Sequence, residues 1–188
     1  KGLFMNFKIF ENEFALNKRT WSHLASMLNS EDDIGVVLRA HLLTEKMLEV
    51  WCCAASNNIH FFDGFGESVS MSYAAKLKLA SNFGLNDFSY KELKAINKIR
   101  NVRSHQIYDA EITDKEIQIM TDLISNGGQK EIVNSDKFGM WVGGKEALLN
   151  NTESTNREKF IAILSGIILR MFRQAKELDR SSNFTKLL

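Results

Sequence analysis

From Asp33 to about Ala55 the chain reads as one long helix that is apolar on nearly every side. A helix without a polar face has to sit inside a bundle, covered by other helices. Val36, Ala40, Leu43, Met47, Val50 and Ala54 fall on one face. Ile34, Leu38, His41, Glu45, Leu48 and Cys52 fall on another. Ser30-Glu31-Asp32-Asp33 opens the helix with a small polar residue and places acids at the positive end of its dipole. The 188 residues contain no proline, which tilts the rest of the chain toward helices as well.

The expected fold is therefore all-α: a single domain over residues 1–188 with one core and about five to seven helices. Residues 1–14 read as an arm or a short first helix, and Trp21–Leu28 as a turn or two of helix. A second helix over Ser70–Phe83 ends on Gly84, a residue suited to a C-cap. Ser89 caps a third, with Glu92 at the capping-box position and a core face of Leu93, Ile96, Ile99 and Val102. Thr113 opens a fourth with Glu116 at the same offset, ending near Asn126-Gly127-Gly128. Gln129–Asn151 is the least helical part, and within it Glu131-Ile-Val and Phe138–Val142 leave room for a short irregular or hairpin insert near 130–143. The closing helix spans about Glu153–Asp179 on an apolar face of Phe160, Leu164, Ile167 and Met171, and residues 181–188 read as a frayed tail.

Composition narrows the function classes. Lys and Arg number 24 and Asp and Glu 23, a net charge of +1. A protein that wraps nucleic acid carries a much larger positive excess. No run of about 18 apolar residues offers a membrane span, and Lys1–Phe10 lacks the apolar core of a secretory leader. Cys52 and Cys53 are neighbours on a helix, about 100° apart, and do not suit a bond to each other. Two thiols without a spacing pattern fit a reducing compartment, so a cytoplasmic location is expected. His23, His41, His60 and His105 have no metal-ligand spacing, and neither a metal nor a cofactor is expected.

One string mimics a nucleotide loop. Gly139-Met-Trp-Val-Gly143-Gly144-Lys145 satisfies Gly-x4-Gly-Lys, but Glu146 follows where a phosphate loop needs Ser or Thr for magnesium. Nucleotide binding is not expected.

The most specific motif is Arg100-Asn101-x-x-x-His105 at the end of the third helix. Five helical residues turn through about 500°, which leaves Arg100 and His105 about 140° apart unless the helix ends near Ser104 and the chain turns back. Brought together, the set suits RNA cleavage without a metal. His105 moves a proton at the ribose hydroxyl or the leaving oxygen. Arg100 holds the phosphate bidentately, and Asn101 orients either partner. Glu45, one turn beyond His41, is a supporting residue in that reading. The plainer alternative is structural: His41 and Glu45 form a hydrogen-bonded pair, Arg100 pairs with Glu45, and His105 caps a carbonyl. Lys91, Lys94, Lys98 and Arg103 read as a solvated basic face of the same helix.

The Arg-x4-His pattern resembles the signature of HEPN domains, four-to-five-helix bundles that include dimeric RNases as well as non-catalytic binding modules. A longer stretch resembles the mannitol operon repressor (MtlR) branch. The matching pieces are Leu42-Leu-Thr-Glu45, Leu77-Lys-Leu79 with Gly84-Leu85, then Tyr90, Ile99-Arg100 and His105, then Ile112-Thr-Asp-Lys-Glu-Ile117. The closing helix from Arg157 and Phe160 is similar too. The resemblance implies a helical regulator without a DNA-reading element. The expectation is a non-enzymatic module that regulates or inhibits another protein, as a transcriptional regulator, immunity protein or antitoxin does, alone or as a homodimer. The alternative is a metal-independent RNase carried by Arg100, Asn101 and His105, with RNA as substrate. Direct DNA binding is disfavoured.

Overall fold

In the computed structural model the backbone is described for residues 4–63, 71–103, 111–128 and 130–185, and side chains as far as Asp179. The order is α1 (Phe7–Phe10), a π-helical turn (Glu11–Ala15), α2 (Lys18–Leu28), α3 (Asp33–Ser56), α4 (Tyr73–Asn82), α5 (Asp87–Arg103), α6 (Asp114–Asn126), α7 (Lys130–Val133), β1 (Gly139–Val142), β2 (Lys145–Leu148) and α8 (Asn156–Thr185). The all-α bundle is borne out. The eight α-helices among the described residues exceed the expected number because α1 and α7 are single turns of four residues, too short to leave a period in the sequence.

The long apolar helix is α3. The Asp32 carboxylate accepts from the backbone N–H of Ile34 (3.0 Å) and Gly35 (2.7 Å) at its start. At its end Asn57 takes the left-handed conformation, φ 53°. Trp51, Met47, Val36 and Ala40 are wholly buried along it, and other elements cover it on several sides. Part of that cover comes from the N-terminal residues. Met5, Phe10 and Phe14 are completely buried, and the Phe10 ring meets Trp51 edge-on at 6.0 Å. The Asn6 N–H donates to the Ala54 carbonyl (2.9 Å). Of the two expectations for this segment, the short helix is what forms, and an arm is excluded for Phe4–Phe14 by that burial.

The Thr113–Glu116 capping box forms as the spacing predicts. The third helix starts earlier than expected. Asn86, not Ser89, is the cap: its side chain accepts from the Ser89 N–H at 2.8 Å. Ser89 and Glu92 lie inside α5 with no exposure. Val102 is 38 % exposed and leaves the core face, while Arg103 beside it is buried. The closing helix starts at Asn156 because Thr155 and Glu158 cap it reciprocally. It then continues to Thr185, so the tail expected from residue 181 is helical that far, and residues 186–188 lie outside the described residues.

The 130–143 region splits. Glu131-Ile-Val belongs to the single turn α7, whereas the hairpin exists as β1 and β2, antiparallel with Trp141 opposite Glu146. Gly143 (φ 60°) and Gly144 (φ 79°) form its turn, both left-handed as a tight two-residue hairpin requires. The Gly-x4-Gly-Lys string is this hairpin, with a strand after it where a phosphate loop has a helix. A Cβ on Gly139 would stand 2.0 Å from the Ala147 carbonyl oxygen, so only glycine fits that register. The hairpin packs against α8.

Candidate functional site

α3 and α5 run antiparallel and in contact, with α4 beside both. Their shared interior holds a chain of polar groups at a place where periodicity alone calls for core. His41 Nε2 lies 3.1 Å from Asn97 Oδ1, an arrangement in which the ring N–H donates. The imidazole stacks on Tyr73 of α4, centroids 4.5 Å apart and 27° between planes. The Tyr73 hydroxyl donates toward Thr44 Oγ1 (3.1 Å) and the Leu93 carbonyl (3.3 Å), and the Thr44 hydroxyl donates to the Ala40 carbonyl (2.9 Å). Burial lowers the His41 pKa below its usual 6.5, the Asn97 bond opposes that, and the nearby Arg100 charge adds to it. Burial also raises the Tyr73 phenol. The ring pair is thus neutral and structural in character at pH 7.

Lys76 of α4 supplies the buried cation. Its ammonium sits 2.8 Å from Glu45 Oε1 and 2.6 Å from Glu49 Oε1, and the residue is 8 % exposed. Burial alone would depress its pKa, but the hydrogen bonds to the two carboxylates outweigh that and raise it. This arrangement corrects two expectations. His41 and Glu45 share a face but not a bond: each turns to a partner on another helix. Glu45 likewise closes on Lys76 rather than on Arg100, because Lys76 lies between two carboxylates one turn apart on α3. That spacing, Glu45 and Glu49 on a largely buried helix, was the signal for a cation.

Arg100 and Asn101 occupy the last turn of α5. Arg100 Nη1 donates to Asn101 Oδ1 at 3.1 Å, and its Nε is buried without a partner among the described residues. α5 is described as helix to Arg103. Ser104 and His105 lie outside the described residues, so the structure brings Arg100 and Asn101 together and leaves the third member of the motif without a position. Lys91, Lys94 and Lys98 are exposed as expected, and with Asn97, Asn101 and Val102 they line a shallow depression of about 650 Å3. Arg103 does not belong to that basic face. It is 4 % exposed, pairs with Glu116, and donates to the Glu111 carbonyl (2.7 Å), tying α5 to the capping box of α6.

Sequence reasoning missed a further ion pair. Glu92 has no exposure and is met by Arg170 of α8. Glu92 had looked like a surface capping residue, and the register of α5 makes it a core residue once Asn86 takes the cap.

Among the described residues no group of three His, Cys, Asp or Glu is placed to hold a metal ion. Cys52 and Cys53 are free and buried, and burial pushes the Cys52 thiol up to about 12, which leaves it a protonated thiol at neutral pH. No helix among the described residues is long and apolar enough to cross a membrane. No family model matches the chain, and no curated protein or solved structure matches it either.

Proposed function

We propose that this chain is a non-enzymatic helical binding module that regulates or inhibits another protein, in the manner its resemblance to MtlR-like regulators implies. One observation carries the reading: the exposed surface at the C-terminal end of α5 is both cationic and apolar. His41 against Asn97, and Thr44 through Tyr73 to Leu93, fix the antiparallel register of α3 and α5. At the end of α5 Val102 is 38 % exposed and lines one depression with Ala95, Lys91, Lys94 and Lys98. Lys94 and Lys98 flank this end. Apolar side chains rimmed by cations suit a protein face carrying acidic residues around an apolar patch. The polar interior supports the same reading, since Glu45 is committed to Lys76 and His41 to Asn97.

A second reading has its own observation. Arg100 keeps a buried Nε without a partner among the described residues, next to three exposed lysines on the same helix. A phosphate would satisfy that nitrogen, as a HEPN-type RNase using Arg100, Asn101 and His105 requires.

The separating experiment is an RNA-cleavage assay in EDTA with the wild type, Arg100→Met and His105→Ala at matched melting temperature. The binding-module reading expects no cleavage by any of them, and expects Val102→Glu to abolish partner-dependent regulation without unfolding the chain. Cleavage by the wild type that disappears in His105→Ala overturns it in favour of the RNase.

A further inference from the structure

α2, the π-helical turn, β1 and α8 enclose a cleft of about 410 Å3 on a side of the molecule that the Arg100 surface does not use. Its floor includes Phe10, Phe14, Leu24 and Phe172, and Trp21 and Trp141 line it at 52 % and 55 % exposure. The polar inventory of its walls is nearly closed. The Trp21 indole N–H donates to the Ala15 carbonyl (2.9 Å) and that of Trp141 to Glu146 (2.9 Å). The Ser165 hydroxyl donates to the Ala162 carbonyl (2.7 Å). No acidic, basic or imidazole side chain is among its described lining residues, and Thr20 is the one hydroxyl left there without a side-chain bond.

Such walls give a charged ligand no side-chain counter-charge and hold few unpaired side-chain donors or acceptors. The volume lies within the range of small-molecule sites, about 300–1,000 Å3. A dry apolar cavity of about 150 Å3 holds one benzene. On that scale this cleft has room for a ligand of about two to three rings.

We infer that this cleft is a binding site for a small, uncharged, predominantly apolar molecule, aromatic or branched aliphatic. The two indoles offer apolar ring surface to such a ligand, and their N–H groups are already bonded within the chain. The site is independent of the binding-module reading and stands or falls separately from it.

The test uses the full chain and the neutral fluorophore N-phenyl-1-naphthylamine. The expected result is saturable binding of one probe per chain, with probe emission rising and tryptophan emission falling through energy transfer. Leu169, 49 % exposed on the cleft wall, becomes Leu169→Glu, and Trp141→Ala is the second variant. Each is expected to weaken binding at least ten-fold while circular dichroism and melting temperature stay near wild type. Light scattering at each protein concentration monitors self-association. Non-saturable binding, saturable binding unchanged in both variants, or probe displacement that tracks dimer formation would each overturn the assignment, the last by giving the cleft to a second copy of the chain.

Discussion

Arg170 of α8 spans two contacts, the wholly buried carboxylate of Glu92 on α5 and, through Nη2 at 2.7 Å, the Ile124 carbonyl in the last turn of α6. One guanidinium therefore joins three helices. Glu92 is raised from an ordinary 4.5 to about 7, because burial outweighs the opposing attraction of Arg170. A raised carboxylate pKa means that the folded chain holds a proton the unfolded chain has already lost. Stability is thus highest below about pH 4.5 as far as this group is concerned, and falls as pH rises from there to about 7, by about 3 kcal/mol for a shift of that size. Urea unfolding at several pH values should show that slope in the wild type and lose it in Glu92→Gln. An identical slope in both proteins would contradict the assignment.

His41 carries the opposite sign. Its pKa is lowered by burial in the fold, so the unfolded chain takes up the proton first. The folded state is favoured above about pH 6.5 and loses stability as pH falls below it. NMR titration of the His41 ring should give a midpoint under 6.5, and a midpoint at or above the free value would show that the ring is not buried against Tyr73 and Asn97. His41→Phe keeps the stacking and removes the Asn97 bond, and should cost about 1 kcal/mol.

Lys76→Met should be among the more damaging single changes. It leaves Glu45 and Glu49 close together in a partly buried site with only the more exposed Lys46, 3.7 Å from Glu49, nearby, a loss of about 3 kcal/mol by denaturant unfolding. The triple variant Lys76→Met, Glu45→Gln, Glu49→Gln should recover much of it. A single variant as stable as wild type would place the ammonium in solvent.

Gly166 of α8 has no room for a side chain. A Cβ there would lie 2.6 Å from both Ile124 Cδ1 and the Phe138 ring. Gly166→Ala gains helix propensity yet should destabilise by about 1–3 kcal/mol through overpacking. If thermal unfolding instead shows a gain, the helix has room to move away from α6 and the hairpin.

Local signals in the sequence were read well where a single element contains the whole reason for its structure. Thr113 with Glu116 and the acids that open the apolar helix each act within four residues, whereas the expected insert at 130–143 did not include the hairpin turn at Gly143-Gly144 with its second strand at Lys145–Leu148. The errors concern partners supplied from elsewhere. Arg103 reads as one of four surface cations on a helical face, yet its acceptors are Glu116 and the Glu111 carbonyl, outside its own helix. Glu92 fitted a capping box as well as it fits a buried pair, and only Arg170, 78 residues away, decides between them. His41 and Glu45 were correctly placed on one face, but a helical wheel cannot say that Asn97 and Lys76 reach them first. Of the candidate motif, Arg100 and Asn101 are side by side as its spacing requires, and His105 lies outside the described residues.

The N-terminal cover of α3 also sets an order of events in folding. The Phe7 ring meets Phe172 at 5.0 Å, while its N–H approaches Asp179 across a separation of 172 residues. α3 is synthesised well before α8, yet α8 forms one wall of its enclosure. Until α8 arrives, Phe7 has no aromatic partner, and Phe160, Ile163 and Ile167 are not there to shield the interior. Closing so long a loop makes this step non-local and slow relative to helix formation. During synthesis, the nascent chain carries an apolar helix still lacking part of its cover, a form that chaperones are suited to hold.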